Sequence, residues 1–301
     1  MPMNVLPARF EGESLPLNID LHMHSTASDG ALSPEALVLL CRQRGLTHMA
    51  LTDHDTVAGI AEASAAAERA GICLLAGTEL STRWQGVNIH VVGLLPEGVR
   101  GSLREGLASQ AIAREARAER IAERMEKVGL VDALARAREQ AGGDRPLGRP
   151  DFARALVAAE LVPDMATAFN KHLGSGKAGD IKSLWPELSE VVGWILDSGG
   201  VAVMAHPLRY RLTRRKRGQL LDAFVAAGGQ ATELVNGFQN PDETRDLSRQ
   251  CQERQLLASV GSDFHFPGGH LAPGSMSPVP RTATLPVWRH PLLAGLVDSA
   301  A

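Results

Sequence analysis

The chain has 301 residues, 44% hydrophobic, 22% charged and only 4% aromatic, with a formal net charge of −3. No apolar run approaches the roughly 20 residues that span a bilayer, and the near balance of 31 Lys+Arg against 34 Asp+Glu excludes wholesale coating of nucleic acid or membrane. Three widely spaced cysteines, Cys41, Cys73 and Cys251, imply no disulfide framework and fit reduced thiols in the cytoplasm.

Met1 to Leu17 lacks the basic start and continuous apolar segment of a signal peptide and reads as a short disordered lead-in. From Asn18 onward, short apolar runs alternate with amphipathic ones. Ile19–Leu21, Met49–Leu51, Cys73–Ala76, Ile89–Gly93, Val201–Ala205, Thr232–Val235 and Leu257–Val260 are predicted strands. Between them Pro34–Arg44, Val57–Ala70, Leu188–Asp197, Gly218–Ala227 and Pro241–Gln255 are predicted helices, with glycines such as Gly71, Gly199-Gly200 and Gly228-Gly229 at their ends. Repeated strand-helix-strand units predict an α/β fold, a mostly parallel sheet whose seven strands close or nearly close into a barrel; an open doubly wound sheet is the alternative.

The stretch 99–184 breaks this rhythm, so the reading is a barrel domain, 18–98 with 185–301, interrupted by a helical insertion, 99–184. There Ser102 and Glu105 match an S-x-x-E capping box, and Leu107, Ala111, Ile121, Met125 and Val128 recur on one face of a long Arg/Glu-rich helix ending at Gly129. The insertion carries 15 Lys+Arg against 12 Asp+Glu, a charge of +3, leaving 16 against 22, or −6, for the barrel.

The residues with chemistry stand at the C-terminal ends of the predicted strands, the face where barrel enzymes collect catalytic groups. In order these are Asp20-Leu21-His22-Met23-His24-Ser25, Thr52-Asp53-His54-Asp55, Gly77-Thr78-Glu79, His90, Ala205-His206-Pro207 and Gly261-Ser262-Asp263-Phe264-His265. Imidazoles two residues apart point the same way from an extended segment. Neutral imidazole and carboxylate hold divalent zinc, manganese or iron, and a set of this size exceeds what one ion can use. The remaining histidines, His48, His172, His270 and His290, have no such setting and read as surface or core residues.

In this order, D-x-H-x-H-S, T-D-H-D, G-x-E, A-H-P and S-D-x-H resemble the signature of the PHP (polymerase and histidinol phosphatase) metal-dependent phosphoesterases over nearly the whole chain. Ser28-Asp29-Gly30, the insertion, Gly148-Arg149-Pro150 and His206-Pro207-Leu208-Arg209-Tyr210 are similar to a bacterial subgroup of 3′,5′-nucleoside bisphosphate phosphatases and 5′-to-3′ exoribonucleases acting on short RNA. The resemblance implies a distorted seven-stranded barrel. It also implies a trinuclear site: His22, His24, Glu79 and Asp263 on one ion, Glu79 bridging to a second with His90 and His206, and Asp29, His54 and His265 around a third. Asp29, Glu79, His206 and Asp263 are expected to act in catalysis as well. Histidinol phosphatases of the family commonly offer histidine where Asp29 stands, and subgroup members often have histidine in place of Asp151. Asp20, Asp53 and Asp55 are expected to orient metal-bound imidazoles or to cap turns.

Two or three divalent ions, manganese foremost with zinc or iron as alternatives, would supply hydroxide near neutral pH and clamp the phosphoryl oxygens, so no Ser or Cys nucleophile is needed. A second phosphate on the substrate needs other cations, for which Ser102 and Arg104 at the helix start, Arg149 and Arg209 are the candidates, with Asp29 meeting substrate too. The run Arg211 and Arg214 to Arg217 could line the mouth. The expected substrate is a small phosphorylated nucleotide, with short RNA as the alternative and histidinol phosphate as a third reading. Sparse aromatics argue against long single strands. A binding-only module does not fit, because every ligand position is filled by a competent residue; no membrane and no obligate protein partner is called for.

Overall fold

The computed structural model describes residue 10, residues 18–181 and residues 184–298. The expected lead-in therefore lies outside the described residues, apart from Phe10. The chain divides into two compact units, one made of everything up to Gly106 together with everything from Pro186 on, the other spanning Leu107–Trp185.

In the first unit seven strands follow one another around a single sheet in chain order: β1 (Ile19–Asp20), β2 (His48–Leu51), β3 (Cys73–Trp84), β4 (Val87–Leu94), β5 (Val201–Met204), β6 (Ala231–Asn236) and β7 (Leu257–Gly261). The ring closes through the residues just past β1. Leu21 N donates to Val260 O at 3.0 Å, Asp263 N to His22 O at 2.8 Å and His24 N to Phe264 O at 2.9 Å. Helices α1 (Pro34–Gln43), α2 (Ile60–Ala70), α7 (Leu188–Asp197), α8 (Arg214–Ala226) and α9 (Pro241–Glu253) connect the strands. Their ends follow from their sequences. Ser33 caps α1 by accepting from Ala36 N, with Pro34 at the first helical position, and α2 stops at Gly71 in a left-handed conformation, φ 62°. Leu37, Val38, Cys41, Ala63 and Ala66 bury the inner faces of α1 and α2 in one apolar cluster with Met23, Met49, Leu51 and Phe264.

One departure from the predicted architecture matters for the site. The sheet is parallel at β1–β2–β3 and at β5–β6–β7, but β4 is antiparallel to both β3 and β5. β3 runs through Gly77-Thr78-Glu79 to Trp84 and turns back at Gln85-Gly86, both at positive φ, 47° and 74°, as a tight two-residue hairpin requires. Glu79 is therefore mid-strand rather than at a strand end.

In the second unit the rest of the long helix α3 (Gly101–Glu126) is followed by α4 (Ala133–Ala141), α5 (Arg149–Ala158), α6 (Met165–Ala168) and a π-helical turn, Phe169–Leu173. Its core gathers Ala118, Ile121, Ala122 and Met125 of α3 with Phe152 and Leu156 of α5. The apolar face of α3 is thus narrower than predicted. Ala111 is exposed, and Val128 lies beyond the helix end and is 37% exposed. The expected capping box is not made. The helix begins at Gly101, and the Ser102 hydroxyl donates instead to Asp197 at 2.8 Å. Cys41, Cys73 and Cys251 form no disulfide, and among the described residues no helix is long and apolar enough to cross a membrane.

Candidate metal centre

The barrel's C-terminal mouth gathers six imidazoles and three carboxylates. The ligand atoms of eight of them fall into three overlapping groups: His22, His24, Glu79 and Asp263; His54, Glu79 and His90; and His24, Asp29, His54 and His265; the ninth, His206, adjoins them through Glu79. His22 and His24 reach the first group because they alternate along an extended segment, with Met23 between them turned into the core. Asp263, two residues past the end of β7, adopts a left-handed backbone, φ 56°. Glu79 is the hub. Its Oε1 lies 2.9 Å from His90 Nδ1 and 2.8 Å from His206 Nε2, and its Oε2 lies 3.2, 3.3 and 3.0 Å from His22 Nε2, His24 Nε2 and His54 Nδ1. The antiparallel hairpin makes this possible, since it sets Glu79 on β3 near His90 on β4 while Ala205 N donates to His90 O at the start of the His206 loop.

These spacings fit ions. Ligand atoms about 2.05 Å from a tetrahedral cation stand about 3.3 Å from one another. In the first group five of the six separations are 3.1–3.4 Å, including His22 Nε2 to His24 Nε2 at 3.1 Å, His24 Nε2 to Asp263 Oδ1 at 3.1 Å and His22 Nε2 to Asp263 Oδ1 at 3.4 Å. Buried polar atoms normally find hydrogen-bond partners, yet Glu79 Oε2, Asp29 Oδ1 and His54 Nδ1 have none of good geometry among the described residues. These three atoms converge on their neighbours without bonding them, which leaves their lone pairs for a shared cation.

The electrostatics follow from this crowding. Burial alone would raise the Glu79 carboxyl, but His22, His90 and His54 around it and the bond from His206 hold it well below the usual range. Asp263 and Asp29 are likewise depressed against burial, by His22 and His265 and by His265 and His54 respectively. In return, and against the opposing pull of burial, Glu233, Glu79 and Asp263 raise His22 well above its ordinary value, and Asp263 and Glu79 raise His24 to about 10. His54 is the exception. Burial dominates over Glu79 and Asp29 and keeps it well below 6.5.

Other sequence candidates are placed differently. Asp20, Asp53 and Asp55 bind backbone and hydroxyls rather than imidazoles. Asp20 accepts from the N–H of His22, Ser262 and Gly274, Asp53 from Ser25 and Ser28, and Asp55 from Ser81 N. Arg209 extends to Asp263 Oδ2 and remains 44% exposed. Ser102 and Arg104 stand apart. Ser102 is bonded to Asp197, the last residue of α7 before β5, whereas His206 follows the other end of β5. Four strand residues at about 3.3 Å each put roughly 13 Å between these levels, so the helix start faces away from the imidazoles. Arg149, in the other unit, reaches Leu173 O at 3.2 Å and Asp180 at 3.9 Å. Asp151 is fully buried and accepts from Arg145 and Gly148 N.

Two residues that touch the site had no role assigned from the sequence. Tyr210 donates to Ala205 O at 2.8 Å and accepts from His90 N at 2.9 Å, so it joins the β4 and β5 sides of the site. Glu233 on β6 lies 2.8 Å from His22 Nδ1. Its signal was a carboxylate inside the apolar run Ala231-Thr232-Glu233-Leu234-Val235, a position that water cannot pay for.

A closed α/β barrel with imidazoles and carboxylates converging at one mouth defines a metal-dependent hydrolase. The PHP domain model matches residues 20–142. The chain is 40% identical over 269 residues to a 5′-3′ exoribonuclease of Haemophilus influenzae, covering 89% of this chain and 97% of that protein. It is 39% identical over 273 residues to a 3′,5′-nucleoside bisphosphate phosphatase of Chromobacterium violaceum, covering 90% and 95%. A solved structure described as an amidohydrolase from Chromobacterium violaceum, with sulfate bound and no metal, superposes with a TM-score of 0.85 at 38% identity, covering 94% of this chain and 96% of that one. The chain belongs to the PHP family of metal-dependent phosphoesterases.

Proposed function

We propose that the protein removes the 3′-phosphate of nucleoside 3′,5′-bisphosphates, giving the nucleoside 5′-monophosphate and inorganic phosphate. The observation that carries the reading is the shared Glu79 carboxylate, whose two oxygens face separate sets of imidazoles. We assign His22, His24, Glu79 and Asp263 to one ion, His90 and His206 with Glu79 to a second, and Asp29, His54 and His265 to a third. His54 and His24 also border neighbouring groups. These residues would hold divalent ions, manganese foremost, which when bound would supply hydroxide and neutralise the scissile phosphoryl oxygens.

The protein's own part is positional. Buried carboxylates hold the ligand nitrogens in place, and Arg209, beside Asp263 and partly exposed, offers a planar donor pair to the second phosphate. Ser102 and Arg104, roughly 13 Å from the imidazoles by strand rise, are weaker candidates for that phosphate than Arg209. Arg149 is tested by substitution on the same substrates. The reading is supported by the named activity of the Chromobacterium relative and, for a reducing cytoplasmic setting, by three cysteines without a disulfide.

A second reading, 5′-to-3′ cleavage of short 5′-phosphorylated RNA, is favoured by the Haemophilus relative and by the exposed Arg211, Arg214 and Arg215 that follow Arg209. Both reactions hydrolyse a phosphoryl group 3′ to a 5′-phosphorylated nucleoside. Phosphorus NMR of a manganese-supplemented reaction decides among the readings. The 5′-monophosphate is the expected product, and a 3′-monophosphate overturns the orientation. Turnover of a 5′-phosphorylated trinucleotide in preference to the bisphosphate favours the second reading. Turnover of histidinol phosphate alone rejects both.

A further inference from the structure

One buried carboxylate outside the metal groups touches two of their members at once. Glu233 is 2% exposed, and both its oxygens are committed. Oε1 lies 2.8 Å from His22 Nδ1, while Oε2 accepts from His206 N at 2.6 Å and from Asn236 Nδ2 at 2.8 Å. The fold makes room for this arrangement. The β6–β7 register shifts between Glu233 and Val235, and a Cβ on Gly261 would stand 2.9 Å from Glu233 Oε1 and 2.4 Å from His22 Cβ.

We propose that Glu233 is a positioning residue that ties two metal positions to each other, an inference that rests on the metal assignment above. On the His22 side, Glu233 Oε1 lies 2.8 Å from Nδ1 as the acceptor of its hydrogen, which selects the Nδ1–H tautomer. Nε2, which faces His24, Glu79 and Asp263, would then be the nitrogen left to ligate when a metal ion displaces its hydrogen. On the His206 side, the same carboxylate holds the amide of a residue at φ 29°, a left-handed conformation that costs a non-glycine residue free energy unless its surroundings enforce it. His206 in turn presents Nε2 to Glu79 Oε1. One side chain therefore selects the ligating nitrogen in the first group and fixes the backbone of a ligand in the second.

Glutamine is the discriminating substitution, because it keeps the shape and loses one acceptor. If its oxygen serves His206 N, its NH2 faces His22 Nδ1 and drives the hydrogen onto Nε2. If it is turned round, the NH2 opposes the donors of His206 and Asn236. Neither orientation satisfies both sides.

The experiment compares the full-length wild type with Glu233→Gln, stripped by chelation and titrated with Zn²⁺ calorimetrically, with circular dichroism and thermal melting as controls for folding. A folded Glu233→Gln protein should lose zinc affinity by about 10–100-fold at two positions together. In the zinc-loaded wild type, ¹H–¹⁵N spectra should place the His22 hydrogen on Nδ1. Unchanged affinity in a folded variant, or loss at a single position, overturns the proposal. Ligation of His22 through Nδ1 in the wild type overturns it too, and that measurement decides the matter even if the variant does not fold. A wild type that takes up no zinc, manganese or iron removes the metal assignment and this inference together, whereas normal uptake with a failed substitution removes this inference alone.

Discussion

Two buried carboxylates, one in each unit, are surrounded by positive or potentially positive groups, yet they are met in different ways. Asp151 takes both nitrogens of Arg145, at 3.0 and 2.6 Å, and the N–H of Gly148 at 2.7 Å, all as hydrogen bonds. Glu79 has three imidazole nitrogens within 3.0–3.3 Å of Oε2 and a hydrogen bond from none of them. A carboxylate saturated by donors holds structure in place. One whose Oε1 is bonded by His90 and His206 but whose crowded Oε2 is left unbonded has room for a charge that side chains do not provide.

Substitutions at the two positions should separate these roles. Glu79→Gln should have the largest effect. Loss of ions worth several kcal/mol each to the transition state lowers turnover by on the order of 10⁴-fold, with at least one metal lost per chain by elemental analysis and little change in melting temperature. A sharp loss of stability with normal metal content would make Glu79 structural and remove the contrast. Asp151→Ala should do the reverse. It strands Arg145 in a buried setting and costs about 3–5 kcal/mol of stability, read from denaturant unfolding, while metal content stays that of the wild type.

Arg209 lies between the two cases, a half-exposed cation on a carboxylate of the metal groups. Arg209→Ala should weaken use of a nucleoside bisphosphate by about 1.5–3 kcal/mol in kcat/KM, and that of an aryl phosphate much less. Equal loss on both substrates would place it with Asp151, as support for Asp263. The smallest effect concerns imidazoles. His48 is buried in β2, outside the metal groups, and has neutral partners for both ring nitrogens, Thr47 Oγ1 and Leu296 O, each at 2.9 Å. Burial lowers its pKa below 6.5 despite the Leu296 bond, so the fold favours the neutral ring. Its contribution is complete above pH 6.5 and is lost as pH falls from there through the lower folded value. Melting temperature between pH 7.5 and 5 should therefore fall less steeply in His48→Leu than in the wild type.

The barrel was legible because short continuous apolar runs, buried on both faces, recur through the chain between amphipathic stretches that end in glycine, and the grouping of imidazoles because most stand where those runs end. What was not legible depended on pairing. Glu79 looked like a strand-end residue because nothing before Gln85-Gly86 announces that β3 continues, and a hairpin is recognised only when both arms are read together. The capping motif at Ser102 was a correct local pattern overridden by a partner, Asp197, 95 residues away. Glu233 was hidden for the same reason: its meaning lies in His22, 211 residues earlier. Of the two roles expected for Asp20, Asp53 and Asp55, the turn-capping one matches their bonds: Asp53 and Asp55 neighbour His54 directly and point away from it, and the Asp20 oxygens are taken by the N–H of His22, Ser262 and Gly274.

The backbone bonds that close the barrel belong to the ligand segments themselves, with His22 and His24 bonded to Asp263 and Phe264. The halves of the first ion group are thus made at opposite ends of synthesis, His24 and Asp263 being 239 residues apart. At about 5–20 residues per second, roughly 12–50 s pass on the ribosome between them. During that interval the nascent chain carries histidines that could capture stray metal only loosely, because the carboxylate completing the set has not yet been made. Tight loading is reserved for a chain that has already closed its ring, so metal content reports completed folding.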